Sequence, residues 1–149
     1  MWRSKRNVKI TYTLLPPSSQ TIPAEQTDRL DDVVSYQALD SPKVSTVHGV
    51  DKMSGGSHDA WDWRGKGWLV IAGSHWEVLG WGHEDGGNAW CVTYFAKTLF
   101  TPAGIDFYSR GREGLREETV EAIKEGLAGI EEVKELAGSV FEVKVDDGN

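Results

Sequence analysis

The hydrophobic pattern of this chain repeats every two residues for most of its length and then changes once, near residue 114. Val8-Lys9-Ile10-Thr11-Tyr12-Thr13 alternates apolar and polar and is rich in β-branched side chains, the mark of a strand with one buried face. Asp32–Gln37, Lys43–Val50, Ala60–Arg64, His75–Trp81, Ala89–Thr98 and Ile105–Arg110 read the same way. Turn residues separate them: Pro16-Pro17-Ser18-Ser19 opens a polar loop to about Arg29, Ser41-Pro42 and Met53–Ser57 are turns, and His83–Asn88 is a hairpin. Trp68–Gly73 fits either a buried strand or an apolar loop at the mouth of a barrel.

After Gly114, Val120, Ile123, Leu127 and Ile130 step by three and four, so one stripe of a helix over about 115–128 is apolar. Glu117, Glu118 and Glu121 suit its N-terminal dipole, and Gly129 can end it. Val140–Val145 alternates again as a short closing strand. Many short strands, tight turns and one late helix predict a single mainly β domain over 1–149, a sandwich or a barrel.

Composition narrows the function classes. With 16 basic and 23 acidic residues the net charge is −7 and no long basic run exists, which disfavours nucleic acid as a partner. A single cysteine, Cys91, excludes an intramolecular disulfide. No segment has the length of a membrane span. The first residues lack the apolar stretch of a signal peptide, so the expected location is cytoplasmic, with secretion if the natural start lies upstream. His48, His58, His75 and His83 have no metal-ligand spacing, and neither a phosphate loop nor a Gly-x-Ser-x-Gly elbow is present. No cofactor or metal is expected. Seven Trp is unusual for 149 residues and suits a binding cavity or a broad aromatic core.

The order of elements resembles a lipocalin, of the calycin superfamily. Ile105-Asp106-Phe107-Tyr108-Ser109-Arg110, a short loop, and Leu115–Val120 are similar to the last lipocalin barrel strand, which ends in an arginine and leads into the helix. Apolipoprotein D and bacterial lipocalins have a similar run, and lipocalin-like proteins of fungi resemble the chain as a whole. His75-Trp76 looks like a further landmark. Two departures stand out: no Gly-x-Trp first strand precedes Val8, and Trp81-Gly82-His83 replaces the Thr-Asp-Tyr landmark. Either the first strand is missing from this chain or the barrel closes some other way; an open barrel edge would invite pairing with a second copy, making a homo-oligomer.

The resemblance implies a mainly β fold, an antiparallel up-and-down β-barrel with the C-terminal helix packed outside, and a cavity for a small, largely hydrophobic molecule, and it sets a phase for the walls. Arg110, structural at the closed end, places Tyr108 and Asp106 inside by steps of two. On the preceding strand, Cys91, Thr93, Phe95 and Lys97 face inward while Trp90, Val92 and Tyr94 face the helix; on the His-Trp strand, His75, Glu77 and Leu79 face inward. Trp63 joins the expected lining. A carboxylate in an apolar wall has a raised pKa and can serve as general acid or base. The expectations are therefore a binding protein using Trp63, His75, Glu77, Leu79, Cys91, Thr93, Phe95, Asp106 and Tyr108, or an isomerase, cyclase or lyase with Glu77 or Asp106 as base and His75 or Tyr108 as acid. Each residue also has a structural reading: His75 at a solvated rim, Glu77 on the exterior if the phase slips, Asp106 paired with Arg110 or Lys97, and Tyr108 in the core. A third reading is an interaction protein that uses the open edge.

Overall fold

The computed structural model describes residues 1–17, 21 and 28–146. Seven strands form one antiparallel meander in chain order: β1 (Lys5–Leu14), β2 (Arg29–Ala38), β3 (Val44–Ser54), β4 (Ser57–Gly65), β5 (Gly73–His83), β6 (Ala89–Phe95) and β7 (Gly104–Ser109). The sheet curls into a half-barrel. Its two end strands, β1 and β7, do not pair with each other. All seven expected strands are present, mostly a few residues longer than their alternating cores. The loop expected from Pro16 to Arg29 lies largely outside the described residues.

Register assigns the two faces. Tyr12 lies opposite Asp32, and Leu30 opposite Asp51. Asp51 lies opposite Trp63, Trp61 opposite Trp76, and Val78 opposite Thr93, which faces Asp106 on β7. Directly opposed residues share a face, so these side chains line the concave side. On the convex side, α1 (Glu117–Ala128) and the short α2 (Lys134–Gly138) cover β6 and β7. Leu127, Val133 and Ala137 bury with Val92 there, and Leu79, Trp90, Tyr94, Ile105, Phe107 and Ile123 pack around them. The helix stripe is the expected one as far as Leu127. Ile130 is instead exposed, because the chain turns after Ala128 and Val133 takes the buried place.

No side chain of its own caps α1. Glu84, from the β5–β6 hairpin, accepts the Arg116 amide at 2.8 Å, and the same carboxylate accepts Asn88 Nδ2 at 2.8 Å. Asn88 Nδ2 also reaches the Gly114 carbonyl, and its Oδ1 accepts the Gly111 amide at 2.6 Å. This one asparagine ties the hairpin to the turn between β7 and α1, the task expected of Arg110. Arg110 uses its backbone amide to bond Ala89, and its side chain is exposed.

The expected closing strand is reduced to one parallel bridge, Arg6 to Lys144. The chain end is still held to β1. The Asn7 amide bonds the Lys144 carbonyl at 2.8 Å, Asn7 Oδ1 accepts the Asp146 amide at 2.8 Å, and Arg6 pairs with the Asp146 carboxylate. Asn7 has φ 52°, in the left-handed region where asparagine is tolerated, and it sits within the irregularity between Arg6 and Lys9.

Candidate functional site

The concave face combines aromatic rings with buried carboxyl groups. Trp61 and Trp76, cross-strand neighbours on β4 and β5, stack with centroids 5.9 Å apart and planes 15° from parallel. Tyr12, from β1, also stacks on Trp76, with centroids 5.8 Å apart. A residue of the first strand thus touches one of the fifth, which only a strongly curled sheet allows. Trp63 lies flat over Gly49, where any side chain would collide with the indole ring. Asp32 is the cross-strand neighbour of Gly49, so the missing Cβ gives the Trp63 N–H its path to that carboxyl. Phe95 lies over Gly104 in the same manner.

Three aspartates sit among these rings. Asp51 is 0% exposed and accepts the Trp76 indole N–H at 2.7 Å through Oδ1. Its Oδ2 has no partner. Asp32 is 7% exposed, and its Oδ1 is likewise without a partner. Burial, reinforced by the Asp51 and Asp31 charges, pushes the Asp32 carboxyl up to about 7. Burial raises Asp51 to about 6 against the Trp76 hydrogen bond. Asp106 on β7 is also raised by burial to about 6, with Trp2 and Tyr108 hydrogen-bonding to it. Burial then raises the Tyr108 hydroxyl, which contacts Thr93 and Tyr12. Tyr12 therefore spans the seam between β1 and β7 through its hydroxyl while its ring stacks on Trp76.

The structure brings Trp63, Cys91, Thr93, Phe95, Asp106 and Tyr108 to the concave face, as the phase of their strands requires. It corrects β5. Trp76 and Val78 face inward, opposite Trp61 and Thr93, so His75 and Glu77 face outward. There His75 bonds Asp62 through Nδ1 at 2.8 Å and Glu77 through Nε2 at 3.0 Å. Those bonds raise the His75 pKa, and the bond to His75 lowers that of Asp62. Leu79 also faces out, packed against the helix cluster. A register shift between Val78 and Gly80 follows, so parity counted along β5 does not carry to its end.

Tyr12, Asp32, Asp51, Trp61 and Trp76 escaped the sequence reading. A signal existed: Leu30, Asp32, Val34 and Tyr36 share one parity, as do Val47, Gly49, Asp51 and Met53. A carboxylate on the apolar parity of a strand is buried with it. Among the described residues, no cluster of His, Cys, Asp and Glu is arranged to hold a metal ion. Comparison of the chain with family models, with curated proteins and with solved structures finds no match. The fold and the site together define a curled antiparallel half-barrel with an aromatic, carboxyl-bearing interior, an architecture compatible with a lipocalin-like protein.

Proposed function

We propose that the concave face binds one small, largely apolar molecule bearing a hydrogen-bond donor, in the manner of a lipocalin. The observation that carries this reading is the pair of unpartnered carboxyl oxygens, Asp32 Oδ1 and Asp51 Oδ2, deep among stacked indoles. A buried polar atom without a partner costs about 1–3 kcal/mol, a cost that a ligand donor at this position offsets. The aromatic walls supply the apolar contact and favour a basic nitrogen through their ring faces. The strand order and the late helix agree with the lipocalin resemblance.

The test is quenching of tryptophan emission by retinol, oleate and phenethylamine. Binding of at least one is expected, and Asp51→Asn should weaken the amine about tenfold or more while sparing retinol. Unchanged emission with all three probes would overturn the proposal.

A second reading, general acid/base catalysis on an apolar metabolite, is favoured by one observation. Asp106, poised near 6, adjoins the Tyr108 hydroxyl within the same interior. In that reading Asp106 is the base and Tyr108 the acid, and His75 and Glu77, on the outer face, take no part. Asp106→Asn would then abolish turnover of a bound metabolite while leaving its binding intact.

A further inference from the structure

The meander brings three strand connections to one rim of the half-barrel: 39–43, 66–72 and 96–103. Two of these end in bare apolar side chains. In the β4–β5 connection Trp68 is 86% and Ile71 80% exposed; in the β6–β7 connection Leu99 is 96% and Phe100 71% exposed. β5 and β6 are hydrogen-bonded neighbours, so the two tips stand side by side. Scattered single apolar residues on a surface need no explanation, but a grouped set does.

Neither tip is a loose coil. In the first, a 3-10 turn over Gly67–Leu69 bonds the Leu69 amide to Lys66 O, the Val70 amide to Gly67 O and the Ala72 amide to Leu69 O. The Arg64 guanidinium reaches Val70 O at 3.3 Å. In the second, Thr98 Oγ1 accepts the Phe100 and Thr101 amides, each at 3.0 Å, and the Thr98 amide bonds Thr101 O at 2.8 Å. Backbone groups met within the loop are what entry into an apolar phase demands. The tips therefore present apolar side chains on turns that meet part of their own backbone hydrogen bonding.

Charge selects the occupant. The chain carries 23 acidic residues, yet 63–76 and 86–105, the stretches that contain the two tips, carry none. They carry Arg64, Lys66 and Lys97 instead, and a lysine stands just before each tip, in Lys66-Gly67-Trp68 and Lys97-Thr98-Leu99. On the same rim Asp40 stands exposed in the 39–43 connection and Lys66 reaches Asp31 at 2.5 Å, so Arg64 and Lys97 are the cations of the two tips left to meet lipid. Tryptophan with aliphatic and phenyl neighbours, flanked by such cations and with no carboxylate in either tip, is the chemistry of the interface of an anionic bilayer. We propose that this rim docks peripherally on an anionic lipid surface, with Trp68, Ile71, Leu99 and Phe100 entering the headgroup–acyl boundary. Among the described residues no helix is long and apolar enough to cross a bilayer. The inference is independent of what the interior binds.

Flotation with phosphatidylcholine vesicles, with and without phosphatidylserine, tests it. The chain is expected to float with the phosphatidylserine vesicles and less with the neutral ones. The double variants Trp68→Ser/Ile71→Ser and Leu99→Ser/Phe100→Ser should each lower partitioning about tenfold or more. Both leave buried packing untouched, so an unchanged melting temperature is expected alongside. Absence of flotation by the parent chain, or flotation of both variants equal to the parent's, would overturn the proposal. A self-associating parent that the variants render monomeric, with no vesicle binding, would do so as well, and would assign the rim to a second copy.

Discussion

Trp76 gives its indole N–H to Asp51 at 2.7 Å while its ring stacks with both Tyr12 and Trp61. One side chain thus satisfies half of a fully buried carboxyl group and joins β1, β4 and β5 across the hollow of the sheet. Trp76→Phe keeps most of the stacking and deletes the donor, which leaves both Asp51 oxygens without a partner. A loss of about 1–3 kcal/mol is expected, read from urea denaturation. The double variant Trp76→Phe/Asp51→Leu should recover part of it, because replacing both partners by apolar groups removes the orphaned acceptor.

The three raised aspartates set a sign for the pH dependence. Asp32, Asp51 and Asp106 have folded values of about 7, 6 and 6, above their ordinary 3.8. The folded chain then holds more protons than the unfolded one between these limits, so stability falls as pH rises. Their contribution is greatest below about pH 4, declines through pH 4–7 and is level above that. His75, with its pKa raised by Asp62 and Glu77, works in the same direction. Asp31, lowered by its bonds to Lys66 and His48, works oppositely at acid pH. Asp32→Asn should remove much of the slope and raise stability at pH 8 by roughly 2–4 kcal/mol. A denaturation series from pH 4 to pH 8 checks it, and a parent chain that gains stability over that range would contradict the assignment.

Asn88 carries the junction between the β5–β6 hairpin and the start of α1. Asn88→Ala leaves the Gly111 amide and the Gly114 carbonyl without its side-chain bonds and frees Glu84 from one of its partners. A cost of about 1–3 kcal/mol is expected. Amide hydrogen exchange should show faster opening at residues 111–120 than in the β1–β3 region. Arg110→Ala, by contrast, should be nearly neutral, because the Arg110 link to Ala89 is a backbone one.

Leu127 is the deepest α1 residue against β6 and β7. Leu127→Ala opens a cavity beside Val92 and should cost about 2–5 kcal/mol in thermal or chemical unfolding. The corresponding change at Ile130, which is exposed, should cost well under 1 kcal/mol.

The strands and α1 were legible because each writes its own period into the sequence, and Ile105–Arg110 fixed the faces of β6 and β7 correctly. Parity failed on β5. His75-Trp76-Glu77-Val78 carries a polar and an apolar residue on alternate sides, and the family pattern assigns the polar pair to the interior. The sheet takes Trp76 and Val78 inward, and His75 finds Asp62 and Glu77 on the outer face. The carboxyl groups of β2 and β3 were passed over for the converse reason: Asp32 and Asp51 look like solvated residues until their strands curl far enough for Tyr12 to reach Trp76. Trp68–Gly73 stayed ambiguous because local pattern cannot separate a buried strand from a loop whose apolar side chains stand in the open. The bonds of the 3-10 turn resolve it as the latter.

The first and last strands of the meander meet through two phenol groups rather than a backbone ladder. Parting Tyr12 from Tyr108 gives up one side-chain hydrogen bond, worth about 1 kcal/mol, beside the Trp2 bond to Asp106, where unzipping a strand pair would forfeit a whole row of amide bonds. The two edges of the meander are thus tied by side chains, so either edge can shift against the other by rotamer motion without breaking a strand ladder.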